Sequence, residues 1–252
     1  EKTWRKIRPR PWGGGTWEDT NRVFTSGSTI PARFILSHYA EADLADATLV
    51  WTLEGPSGTL ACGEKALGRV TTGPARTVAE VPIAVPATSV PYKAKITANV
   101  GTAKNAWDVW VFPERARKDG ARLFASGAAR TALVGRYDVL AEEPAKAKVV
   151  IGFEGCDELK AAVARGCDTI ELSNIETPAN IKLGWWWIGK QAGTAIKPHA
   201  VLGDFPCGDV MEPLFFRILK EGKKLPVEGV MKDDIVIAGE GVDACYLYLA
   251  VV

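Results

Sequence analysis

From about Phe34 to Pro113 the chain runs as short apolar stretches separated by turn signals, with no helical repeat between them. ARFILSHYA, ATLVWTLE, TLACGE, TVAEVPIAVP and YKAKITANV follow one another, and Gly55-Pro56-Ser57-Gly58 supplies a turn between the second and third. Leu49, Trp51 and Leu53 recur at every second position, as do Val81, Ile83 and Val85, so each strand offers one face for burial. Strands this closely spaced, with no helix among them, predict an all-β sandwich. The last strand, AWDVWVFP, points Trp107, Val109 and Val111 one way and Asp108, Trp110 and Phe112 the other. Both of its faces should therefore be at least half covered. Pro113 and the charged ERARKDG run mark the end of this unit.

The chain changes character beyond that point. ARLFAS and KVVIGF are strand-like, and CDELKAAVARG after the second places Leu159, Ala162 and Val163 on one helical face. Gly166 is suited to stop that helix, and DTIELSN is again a strand, which makes a strand-helix-strand unit of a parallel sheet. Pro213 opens a second helical pattern through Leu214, Phe215, Ile218 and Leu219, and DIVIAG and CYLYLAVV supply the final strands. Residues 1–22, rich in Arg, Pro, Gly and Trp, read as an extended entering linker. The expectation is thus a multidomain chain: a linker over 1–22, a β-sandwich over 23–113 and an α/β domain with a mostly parallel sheet over 114–252. Its 252 residues are enough for two cores.

Composition narrows the function classes. With 47% apolar and 24% charged residues and a net charge of +1, the chain has the balance of an ordinary globular protein. Its charges are interspersed, so it carries no electrostatic footprint for nucleic acid or an anionic membrane. Arg5, Lys6, Arg8 and Arg10 are a local exception. No apolar run approaches the ~20 residues of a membrane-spanning helix. The expected setting is soluble, cytoplasmic or exported, with no membrane partner. Five cysteines without a CxxC pair or zinc-like spacing read as mostly free, buried thiols, with one disulfide of an exported protein as the alternative. Glu1 and the strand-like end at Val252 give the sequence the look of a fragment.

Few residues suggest chemistry. Cys156 lies between a strand and a helix, where the helix dipole can activate a thiol, and His199 is a candidate partner for it. No nucleophile elbow surrounds Cys156, however, and an ordinary loop cysteine accounts for it as well. The acid pairs Glu18-Asp19, Glu142-Glu143 and Asp233-Asp234 are adjacent, whereas glycoside hydrolysis needs carboxyls about 5 to 10 Å apart and facing each other. Gly13-Gly14-Gly15 neither follows a strand nor opens a helix, so no nucleotide-binding loop is indicated, and Ser126 and Ser173 stand without a motif. With only two histidines, of which His38 sits in an apolar strand, no metal site or cofactor is expected. The aromatic residues are more informative. Trp185, Trp186 and Trp187 cannot all be buried on one face of one element, so at least one ring is expected to meet an interface, a partner or a glycan. Trp12 and Trp17 are outside candidates for the same role.

Three segments carry a resemblance: AEADLADATLVWTLEGPSGTLACGE (Ala40 to Glu64), NAWDVWVFP (Asn105 to Pro113) and GTAIKPHAVLGDFPCGDVMEPLFFRIL (Gly193 to Leu219). They resemble the C-terminal accessory region of family 2 glycoside hydrolases, the β-galactosidase-like enzymes. The resemblance implies that the sandwich is immunoglobulin-like and ends in an N-x-W-x-x-W-V-x-P strand, matched by Asn105, Trp107, Trp110, Val111 and Pro113. It also implies a flavodoxin-like or amidotransferase-like α/β domain, entered by a Phe-Pro step ahead of an aromatic helix. Two departures stand out. Ala200 follows His199 where proline belongs, and the barrel that bears the family's catalytic glutamates has no counterpart here.

The leading expectation is a non-catalytic accessory part of a carbohydrate-active enzyme, partnered by a catalytic domain of the same parent protein or of another subunit, with a glycan as a further partner. The alternatives are a free-standing glycan-binding module and a cysteine-dependent amidotransferase-like or hydrolase enzyme.

Overall fold

A computed structural model describes residues 8–10, 22–114, 122–134, 143–173, 195–208, 214, 230–240 and 245–250. The strands in chain order are β1 (Arg8–Arg10), β2 (Val23–Thr25), β3 (Thr29–His38), β4 (Leu44–Gly55), β5 (Gly58–Val70), β6 (Gly73–Ala84), β7 (Tyr92–Val100) and β8 (Ala103–Phe112). There follow β9 (Leu123–Ala125), α1 (Gly127–Leu133), β10 (Val149–Phe153), α2 (Asp157–Ala164), β11 (Asp168–Leu172), β12 (Ala195–Ile196), β13 (Ile235–Glu240) and β14 (Cys245–Ala250). The chain divides into two compact units. The first comprises residues 1–114 together with 202–208 and 212–214, and the second the remainder.

The first unit holds two sheets, ordered β2-β8-β7-β4-β5 and β1-β3-β6. The β2–β8 pair is parallel and every other pair is antiparallel. The period-two patterns place Phe34, Leu36 and Ile83 of one sheet in the same core as Leu49, Leu53, Ile96, Val100 and Val111 of the other. Each such side chain contributes roughly 1.5–3 kcal/mol on burial. Trp51 faces Gly63 across the β4–β5 ladder, and its indole lies so close that a Cβ at Gly63 would stand 2.8 Å from the ring. Glycine is needed there for space. At the edges of the two sheets, Lys65 of β5 donates to the Glu80 carbonyl of β6 at 3.4 Å and spans the seam between them. The curl is fastened at another corner by Asp43, which accepts hydrogen bonds from Arg69 Nε and from the Thr72 amide, both at 2.8 Å. His38 is wholly buried at the end of β3, and its Nε2 donates to the Ala42 carbonyl at 2.9 Å.

The second unit contains the parallel sheet β11-β10-β9. The strand-helix-strand pattern around Cys156 is therefore as the sequence indicates. Helix α2 buries Leu159 and Ala162 against Phe124, Ala147 and Val150. Gly166 ends the turn beyond it at φ +71°. Val163 departs from expectation: it is 64% exposed. Among the described residues an eight-residue helix rests on a sheet of only three short strands, so a narrow stripe of it is covered. The final strands also differ from a mostly parallel arrangement, because β12, β13 and β14 form a separate antiparallel sheet. Glu240 and Cys245 are too near in sequence for the crossover that parallel pairing requires. Among the described residues no helix is long and apolar enough to cross a membrane.

Candidate functional site

Among the described residues, aromatic and charged side chains converge on the outer face of β8. Pleating sends Trp107 into the core, edge-on to Phe34 with ring centroids 6.3 Å apart, and Trp110 to the opposite face. Trp110 is nevertheless fully buried. Its backbone amide donates to the Arg22 carbonyl at 2.7 Å, which seats β2 beside it. Its indole Nε1 donates to the Pro206 carbonyl at 3.0 Å. A buried indole N–H requires such an acceptor. Here it comes from a residue 96 positions further along the chain. Phe112 meets Phe205 in the same way, with centroids 5.5 Å apart.

Charge completes the cluster. Lys93, opposite Trp110 on β7, holds its ammonium 5.4 Å from the indole centroid and 3.1 Å from the Asp108 carboxylate. Arg22 reaches the Asp108 carbonyl at 3.4 Å. Burial lowers the Arg22 pKa from its ordinary value, and the charge of Asp108 acts against that shift. The indole bond and the ring pair hold Phe205 and Pro206 on this face, and the Lys93 ammonium stands over the face of the indole.

The thiol candidate is placed differently. Cys156 caps α2 in extended backbone geometry but makes no side-chain cap bond. Its Sγ lies over Gly152, where a Cβ would be only 2.6 Å away, and it packs on the Phe124–Val150–Leu159 cluster. His199 is part-buried, and its Nδ1 accepts the Val201 amide at 3.1 Å within its own turn. Among the described contacts none joins Cys156 to His199. Trp12, Trp17, Trp185, Trp186 and Trp187 lie outside the described residues.

Of the acid pairs, Glu18, Asp19 and Glu142 lie outside the described residues. Glu143 pairs with Lys146 at 2.7 Å, and Asp233 with Lys197 at 3.6 Å. Among the described residues no three His, Cys, Asp or Glu side chains gather where they could hold a metal ion. Cys62, Cys156, Cys167 and Cys207 are free thiols, and none of them is fully buried. Cys62 is exposed because β5 is an edge strand whose side chains face largely outward.

Sequence reasoning placed Trp110 on the second face of its strand but missed what covers it. Pro206, which meets Trp110, and Phe205, which meets Phe112, lie in the third resembling segment, and the Phe-Pro step was the available signal.

A family model described as "Domain of unknown function (DUF8488)" matches residues 28–113. No curated protein matches the sequence. Among solved structures the chain is weakly similar to Pseudomonas fluorescens alkylpurine DNA glycosylase AlkC bound to DNA containing an abasic site analog. The identity is 14% and the TM-score 0.29, over 37% of this chain and 28% of that one. It is similar to Bacteroides uniformis beta-glucuronidase 2 at 16% identity and TM-score 0.27, over 62% of this chain and 23% of the other. R. palustris CsgH matches at 14% identity and TM-score 0.23, over 43% of this chain and 91% of that one. The chain thus spans about a quarter of the length of the glycosylase and of the glucuronidase. Likenesses of this size establish neither a shared fold nor a shared activity.

Proposed function

We propose that this chain is a non-catalytic accessory part of a carbohydrate-active enzyme resembling a family 2 glycoside hydrolase. In this reading an entering linker over 1–22 leads into an immunoglobulin-like sandwich over 23–113. A flavodoxin-like or amidotransferase-like α/β domain runs from 114 to 252. The chain would brace a catalytic barrel or assist assembly, and would touch glycan through Trp185, Trp186 or Trp187, or through Trp12 and Trp17.

One observation supports this most. Two of the segments that carry the resemblance, Asn105 to Pro113 and Gly193 to Leu219, join physically through the Trp110–Pro206 bond and the Phe112–Phe205 ring pair. Segments distant in sequence act there as one piece of construction, a bracing role that needs no reacting group. The inward packing of Cys156 favours a structural thiol over a nucleophile in the same way. The test is hydrolysis of a panel of aryl glycosides by the purified chain. Release at the buffer rate is expected, and turnover above it would refute the proposal.

A further inference from the structure

The basic tract of Arg5, Lys6, Arg8 and Arg10 stands apart from the otherwise interspersed charge, and the proposed function makes no use of it. Its last part is strand β1, which pairs with β3 and sets Arg10 directly opposite Arg33 and Arg8 opposite Ile35. Residues directly opposite in a ladder share a face of the sheet, and so do residues two apart on one strand. Phe34 belongs to the core, so Arg33 takes the outer face, and the register places Arg10 and Arg8 on that face with it.

Like charges directly opposite one another destabilise a ladder. Little in the sheet offsets this pair. Glu80 of β6 lies opposite Arg33 on its other side, yet among the described contacts no ion pair joins the two. Arg33 Nε is buried and has no hydrogen-bond partner among the described residues. A buried guanidinium N–H without an acceptor is destabilising, and an oxyanion set between Arg10 and Arg33 supplies that acceptor while it neutralises the repulsion.

The next row on the same face is Pro31 opposite Pro82, both exposed, about 7 Å along the strands. Two proline rings side by side make an apolar step beside the arginines. An acidic sugar has the matching chemistry: a C–H face to rest on that step, hydroxyls to donate to Glu80, and a carboxylate or sulfate for the guanidinium forks. A nucleic acid fits this face less well. The outer-face positions Thr29, Pro31, Ile35, Pro82 and Ala84 offer no aromatic ring on which a base could stack, and Glu80 opposes a run of phosphates.

We propose that the outer face of the β1–β3–β6 sheet is a binding site for an acidic oligosaccharide, with Arg10 and Arg33 holding its carboxylate or sulfate and Pro31 and Pro82 supporting the sugar ring. This names a glycan class for the proposed function and rests on that reading for the choice of a sugar as carrier of the charge.

Fluorescence anisotropy of the full-length chain at low salt tests the site, with labelled oligogalacturonate, a sulfated galactan oligosaccharide and the neutral galactan of equal length. At least one acidic glycan should bind, with the neutral one at least about tenfold weaker. Arg33→Ala should weaken binding about tenfold or more, and Arg33→Lys should recover only part of it, because an ammonium keeps the charge and loses the fork. Arg10→Ala, a change on a three-residue edge strand, should show the same loss, and it decides the matter if Arg33→Ala fails to fold. Lys104→Ala removes an equal charge from an exposed position of the other sheet and should leave binding unchanged. Binding of neither acidic glycan, or equal losses from Arg33→Ala and Lys104→Ala, would overturn the site. A DNA oligonucleotide of matched charge that bound as tightly would overturn the sugar as its ligand. Turnover of aryl glycosides, by contrast, would sink the accessory reading and leave each of these outcomes as it stands.

Discussion

The two units solve the problem of burial in different ways. In the first, ladders up to ten residue pairs long enclose one continuous core drawn from both sheets. In the second, the described strands are two to six residues long, and around β10 the buried side chains form two small clusters, one on either side of it, apart from Ile196, Val236 and Ile237 of the antiparallel sheet. A shared core makes the first unit respond as a whole to any loss within it. Small separate clusters confine a loss to their own neighbourhood. The outer face of β8 belongs to neither pattern, since its cover is supplied by a piece of chain from outside the strand order.

Paired cavity mutants probe that contrast most sharply. Phe34→Ala removes a wholly buried ring from the shared core and should destabilise the first unit by about 3–5 kcal/mol, lowering protection of every β3, β4 and β7 amide together. Leu159→Ala should cost roughly 2 kcal/mol, near the low end for such a change because a small cluster collapses more readily, and should leave the β4–β7 amides untouched. Residue-resolved hydrogen exchange reads both, and a parallel loss in the two units from either mutant would erase the distinction. A smaller effect is expected at Gly63. Alanine there must push the Trp51 indole aside, at about 1–3 kcal/mol, visible as a lower urea midpoint and an altered tryptophan emission. If alanine were neutral, the close packing of Trp51 on its neighbouring strand would not be what fixes the β4–β5 register.

The smallest effect is electrostatic and lies at the corner of the curl. The Thr72 amide first, and then Arg69, hold the Asp43 carboxyl below the usual carboxylate range. A carboxyl whose folded pKa is depressed adds stability that is complete above its unfolded pKa and fades as pH falls through the folded one. Asp43→Asn should therefore lower the melting temperature slightly at neutral pH, and the gap to wild type should close below about pH 4. A gap that stayed constant to pH 2 would show that charge at Asp43 contributes nothing.

Much of the first unit was legible in the residues because alternation reports directly on burial. Leu49, Trp51 and Leu53 were assigned to one face by spacing alone, and they are buried together. The opposed directions of Trp107 and Trp110 followed from the same pleat. The second unit was legible in part: the parallel pair flanking α2 was readable from its short loops, whereas the exposure of Val163 and the antiparallel final sheet were not. Helical periodicity says which residues share a face but not how wide a surface awaits them. The tryptophans proposed to touch glycan, from Trp12 to Trp187, fall outside the described residues, so that expectation stands as a proposal.

Local pattern, then, determined by itself where strands run, which side chains face inward and that no familiar catalytic motif is present, because those properties depend on neighbours within a few residues. Only the tertiary structure decided that Phe205 and Pro206 return to Phe112 and Trp110, or that Cys156 turns onto Gly152. Such contacts join positions whose separation along the chain carries no periodic signal. They exist because a buried N–H or a flat apolar ring must find a partner, and the sequence does not state which distant segment will supply it.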